Sequence, residues 1–200
     1  MARFPACEFW DFSLAVYGRE GVAAACLALQ ERHGADVNLL LFCCWHARSG
    51  RGALAGEGLR RTAAAVEPWH GQLVRGLRAV RVRLRRPSAP LPQATDALLA
   101  ELAEGLRKKV AAVELEAEHL EQLLLAASAP PVPSESAAVP LAKRASDAAG
   151  GALAYLALLG APLDPADRSD LLAVLAGVFP ELGRGELESI LARRPPRGAS

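Results

Sequence analysis

The sequence predicts an all-α fold, a single-domain bundle of about seven helices with one long central helix. Three observations predict it. Ala and Leu, both strong helix formers, are abundant, and β-branched residues are sparse outside Val. No stretch alternates apolar and polar residues as a half-buried strand does. From Thr95 to Ala127, apolar residues recur at helical spacing over a length on the order of 50 Å.

The elements follow in order. Phe9 to Tyr17 forms a short first helix, ended by Gly18. Glu20 to His33 forms a second, with Val22, Cys26 and Leu29 on one face and Gly34 as its C-cap. Asp36 is placed as the N-cap of a third helix running to about His46, with Leu40, Leu41 and Cys44 inside. The glycine-rich run that follows, up to Gly58, reads as a loop or a weak helical start. Glu67-Pro68 opens a further helix, because proline fits a first turn, and Leu73, Leu77, Val80 and Leu84 step down one side of it. PSAPLP at 87–92 stops that helix. The long helix then carries Leu99, Leu102, Leu106, Val110, Val113, Ala117, Leu120 and Leu124 as its inner stripe. A Pro/Ser/Ala-rich connection at 128–140 is expected to be exposed and mobile. Leu141 to Leu159 is helical, though Gly150-Gly151 weakens its middle. Asp164-Pro165 caps a helix to about Phe179, and a last short helix spans Gly185 to Ala192. Residues 1–127 therefore make an N-terminal core on which 141–192 pack, and 193–200 form a disordered tail.

Composition bounds the function. A length of 200 residues suits one domain with a good core, and a net charge of +1 makes the molecule as a whole no obvious nucleic-acid binder. No run reaches the roughly 18 apolar residues a membrane span needs. Glu8 and Asp11 interrupt the N-terminus before an apolar run forms, which argues against a secretory signal and for the cytoplasm. Cys7, Cys26, Cys43 and Cys44 have no disulfide spacing and read as buried free thiols.

Few residues suggest chemistry, and no cofactor is implied. Glu67/His70 and Glu116/His119 repeat the Glu-x-x-His spacing of di-iron bundles. With Leu102, Val113 and Leu120 as the buried line, however, Glu116 falls at its edge and His119 outside it. No metal site is therefore assigned. No phosphate loop, G-x-S-x-G or H-E-x-x-H occurs. Asn38 is a poor helix former in the first turn of an apolar helix, so it needs partners if buried. Ser13, Tyr17 and Gln30 can supply them, and with Asp36 they form a polar network or pocket bounded by Trp10 and Trp45.

Residues 48–86 hold ten arginines against two acids. Arg75, Arg78, Arg81 and Arg85 share one side of the helix there. They offer a surface for an anionic partner, but residues 96–121 carry seven acids against three bases, so an internal partner exists. Internal pairing is the expectation, since a short connection makes the two helices antiparallel neighbours. Stacking aromatics are nearly absent, which argues against nucleic acid.

Phe9-Trp10, Ser13, Tyr17, Cys26, Leu29, Gln30, Gly34, Asp36-Val37-Asn38-Leu39-Leu40 and Trp45 together resemble the signature of a family of small proteobacterial proteins, a domain of unknown function. The resemblance is dense over Phe9 to Ala47 and implies a bacterial, soluble, mostly helical protein. It lends no catalytic residue. The expected function is a non-enzymatic module that binds another protein, with partner and oligomeric state unspecified. The alternative is a small-molecule-binding protein or enzyme with a polar pocket around Tyr17, Asp36 and Asn38.

Overall fold

The computed structural model describes residues 4–85 and 93–193, and the PSAPLP segment and the tail from 194 lie outside them. All the regular structure among the described residues is helical, and α6 is by far the longest element. The α-helices are α1 Glu8–Tyr17, α2 Val22–His33, α3 Val37–Arg48, α4 Gly56–Trp69, α5 Arg75–Arg83, α6 Gln93–Ser128, α7 Leu141–Leu158, α8 Pro165–Val178 and α9 Arg184–Ala192. No single helix among them is long and apolar enough to cross a membrane. The contacts group the chain into two compact units, residues 1–63 with 123–200 and residues 64–122.

The first unit is built on α3 and α7. Every residue of α3 from Asn38 to Ala47 is buried, as expected of an apolar helix that is covered on all sides. Asp36 starts it, and its side chain accepts from the Asn38 N–H. Gly34, in the left-handed conformation at φ 66°, ends α2. Gly150-Gly151 does not interrupt α7. At Gly151 an added Cβ would lie 3.2 Å from the Leu54 carbonyl and 3.3 Å from the Cys43 Cβ. Glycine there trades helix propensity for close approach to α3. Gly177 does the same for α8 against α2, where a Cβ would come within 2.4 Å of a Val22 methyl carbon.

Residues 128–140 contain a 3₁₀ turn, Ser134–Ala138, and are largely exposed. Arginines hold their backbone. Arg51 donates to the Pro130 carbonyl at 2.7 Å, and Arg144 donates to the carbonyls of Ser136, Val139 and Arg48.

The second unit corrects two expectations. Glu67-Pro68 does not open a helix, because α4 is already under way at Gly56 and Pro68 lies inside it. Proline has no N–H to donate and crowds the preceding turn. Beyond Pro68 the chain widens into a π-helical segment, His70–Val74, closed by an Arg75 N–H donating to the His70 carbonyl. Beyond it α5 buries no residue, and Leu73 and Val80 of the expected inner side are exposed.

The second correction concerns α6. Its expected inner stripe faces outward: Leu99, Leu102, Leu106, Val113, Leu120 and Leu124 are 37–60% exposed. Of that stripe only Ala117 is buried, while Glu114, Glu121, Gln122 and Leu125 are buried on the adjacent face. Polar groups on the preceding helices account for the rotation. Trp69 Nε1 donates to the Ala117 carbonyl at 3.0 Å, and Arg78 and Arg81 reach Glu114. A buried carboxylate is retained only where donors meet it, so α6 presents its acids to α5.

Candidate functional site

Three polar clusters are candidates. The first is the group expected around the start of α3. Asp36 and Asn38 are both buried, and the Asp36 Oδ1 accepts from the Asn38 N–H at 2.8 Å. The Asp36 N–H donates to the hydroxyl of Tyr155, 2.8 Å away on α7. Sequence reasoning offered Tyr17 as the tyrosine here and missed Tyr155, which no local pattern connects to α3. Trp10, Tyr17 and Gln30 are half-buried on α1 and α2. Ser13 is buried, and its hydroxyl has no hydrogen-bond partner among the described residues. Trp45 packs with Phe9 and Phe42 at centroid separations of 5.4 and 5.6 Å, and the Arg51 guanidinium lies 4.5 Å over its ring. It is a core anchor with a cation on its open face.

His46, at the end of α3, points Nδ1 at the Gly52 carbonyl, 2.9 Å away. Burial pushes its pKa below the ordinary histidine value. The Gly52 carbonyl opposes that shift and the charge of Arg51 adds to it. The thiols of Cys26 and Cys44 are raised by burial to about 12, and that of Cys43 is raised well above its ordinary value by the same cause. All four cysteines are free and buried.

The second cluster was not anticipated. Asp167, with a fully buried side chain, stands in the first turn of α8 facing the end of α2. Its Oδ1 accepts from Arg32 Nε and Nη2 at 3.1 and 2.9 Å, and His33 Nε2 lies 2.7 Å from the same oxygen. Its Oδ2 accepts the Asp164 N–H, while the Asp167 N–H donates to Asp164 Oδ1, a complete capping box. Asp170 takes a second Arg32 contact at 2.5 Å. Burial works against the charge of Asp167, but His33 and Arg32 outweigh it and hold the carboxyl below its usual range. Because an ionised carboxylate only accepts, His33 Nε2 carries the proton between them. Chemically this is a buried clamp joining α2 to α8. The signal for it was D-P-x-D after a helix ending in Arg-His, but an acid in a first turn looks like ordinary capping.

The third cluster lies in the second unit. Arg78 pairs with Glu114 at 3.0 Å and with Glu118 at 2.7 Å, and Arg81 reaches both oxygens of Glu114. Burial raises Glu118 above the usual carboxylate range. Burial also acts on Glu114, but the two guanidinium groups prevail and hold it low. Arg75 and Arg85 are exposed and form no ion pair among the described residues. His70 pairs with the fully buried Glu121, Nδ1 to Oε1 at 3.2 Å, while Glu67 and Glu116 of the two Glu-x-x-His spacings are exposed.

Two of the grooves in the surface are lined wholly by described residues. One, about 460 Å³, runs along Leu153, Ala157, Leu163, Arg168 and Leu191, and the other along Glu67, Gly71, Gln72 and Arg75. Neither includes Tyr17, Asp36 or Asn38.

No curated protein and no solved structure matches the chain. Residues 8–125 match the family described as "Protein of unknown function (DUF2390)". The matched region takes in α1 through most of α6, more than half of the chain, and so the protein belongs to that family.

Proposed function

We propose that this protein is a non-enzymatic interaction module and that the apolar face of α6 is the surface it offers. The observation that carries this reading is the exposure of Leu99, Leu102, Leu106, Val113, Leu120 and Leu124 along one side of a single helix. Solitary exposed leucines are ordinary, but a contiguous row of them marks a surface for a protein. The polar clusters favour a role in the fold. Asp36 caps α3, Asp167 clamps α2 to α8, and two of the four candidate arginines are taken up by Glu114 and Glu118. Four free, buried cysteines favour a reducing compartment such as the cytoplasm.

The test is a photo-crosslinking amino acid placed at Leu106 in the full chain, expressed in cells, with Leu27 as an exposed control on another helix. Protein adducts should form at Leu106 well above the Leu27 level. Equal or absent labelling at the two positions would end the reading.

A further inference from the structure

We propose that the groove bounded by the last turns of α7, the start of α8 and the end of α9 binds a free medium-chain fatty acid, its carboxylate held by Arg168 and Arg193. The site lies within the first unit and is independent of the α6 face, so the two readings stand or fall separately.

The lining of the groove defines the chemistry. Its walls are aliphatic, with Leu153 and Ala157 from α7, Leu163 from the connection to α8 and Leu191 from α9. Its polar side chains are Arg168 of α8 and Arg193, just beyond α9. No aromatic ring lines it for a base or sugar to stack on, and no acid, amide or hydroxyl side chain lines it for a polar body to bond. Its volume of about 460 Å³ falls within the range of small-molecule clefts, about 300–1,000 Å³. The ligand complementary to such a groove is an aliphatic chain with one anionic end.

The cationic end is fixed and uncompensated. Arg168 Nη1 donates to the Leu191 carbonyl at 3.2 Å, which ties the guanidinium to the groove wall. Its Nε and Nη2 have no partner among the described residues, and a guanidinium fork offers such donors to a carboxylate in one plane. Neither Arg168 nor Arg193 forms an ion pair among the described residues. The acids nearest Arg168 in sequence are committed elsewhere: Asp164 caps α8, Asp167 meets Arg32 and His33, and Asp170 meets Arg32.

Leu163 is a separate observation that points to the same groove. Among the described residues it is the one non-glycine residue with a positive φ, 55°. A side chain strains the backbone there, and glycine would not. What the leucine supplies in return is part of the groove wall. Backbone strain of this kind gathers at ligand sites.

Isothermal titration of the full chain with hexanoate, octanoate and decanoate tests the assignment. Saturable one-to-one binding is expected, tightening about two- to fourfold with each added methylene, fourfold being the value for full burial. Decanol, the same chain without the charge, should bind at least about tenfold more weakly than decanoate. Arg168→Gln should weaken decanoate binding about tenfold. Ala157→Phe, which fills the groove from an exposed helix position, should abolish it. Circular dichroism and thermal midpoints show that both variants are folded. Equal affinity for decanol and decanoate, an affinity indifferent to chain length, or decanoate binding unchanged in Ala157→Phe would each overturn the proposal, as would no saturable binding of any member of the series. A native chain that ignores decanoate but binds a short peptide ending in leucine with a free carboxylate would also overturn it and reassign the groove to a protein C-terminus.

Discussion

Replacing Asp167 with alanine tests the clamp between α2 and α8. The carboxylate accepts two contacts from Arg32, one from His33 and one from the Asp164 N–H, all within 3.2 Å. Removing one member of a buried ion pair costs about 3–5 kcal/mol. Here the loss is smaller, because Arg32 is partly exposed and keeps Asp170 at 2.5 Å. The remaining losses are the His33 contact and the capping-box bond, which brings the expected cost to about 3 kcal/mol. In a chain of this size that lowers the thermal midpoint by about 6–12 °C. Urea unfolding at pH 7 measures it, with Asp170→Ala as a control that should cost under about 1 kcal/mol. The pH dependence has a definite sign. A carboxyl held low in the folded state contributes stability that is complete above its unfolded value, about 3.9. That stability is lost as pH falls through the lower folded value. The difference between native protein and Asp167→Ala should thus be full at pH 7 and shrink below about pH 4. A cost under about 1 kcal/mol at pH 7, or a difference that persists unchanged into acid, would refute the clamp.

Three further outcomes follow from the packing and the caps. Gly177→Ala should destabilise by about 1–3 kcal/mol, because its methyl would collide with Val22, and Val22→Ala in the same chain should restore part of the loss. Cys26, Cys43 and Cys44 should resist alkylation in the native protein at pH 8 and react on unfolding in urea, and native labelling at the rate of a free thiol would contradict their burial. Asp36→Ala should cost about 0.5–2 kcal/mol by removing the cap of α3, whereas Asp36→Ser should retain most of the stability. Equal midpoints for those two variants would show that the cap contributes nothing.

What could be read in advance was local. Gly18, Gly34, Asp36 and Asp164-Pro165 mark helix ends through backbone and capping chemistry that acts within a few residues, and each end falls where those residues put it. Apolar periodicity was informative in a narrower sense. It identified which residues of α6 share a face, but not that the face would be left uncovered. That depended on Arg78, Arg81 and Trp69, some forty residues away, drawing the neighbouring polar face inward. Pro68 misled for a similar reason: its missing N–H suits a first turn, and it suits equally the interior of a helix that widens just beyond it. Tyr155 and Asp167 were missed because their partners lie more than a hundred residues away in the chain.

The π segment at His70–Val74 also sets a phase. A wide turn accommodates one more residue than an α-turn, so everything after it is offset by about 100° and 1.5 Å from where an uninterrupted helix would carry it. Arg78 and Arg81, which pair with Glu114, both follow that offset in the chain. Deleting Gln72, an exposed residue in that turn, would let the helix run straight and swing both guanidinium groups a quarter-turn away from their acids. Length therefore matters at this stretch beside the identity of its two buried side chains, His70 and Val74. Relatives that gain or lose a residue between Pro68 and Arg75 would have to rebuild the α5–α6 pairing with a different set of charges.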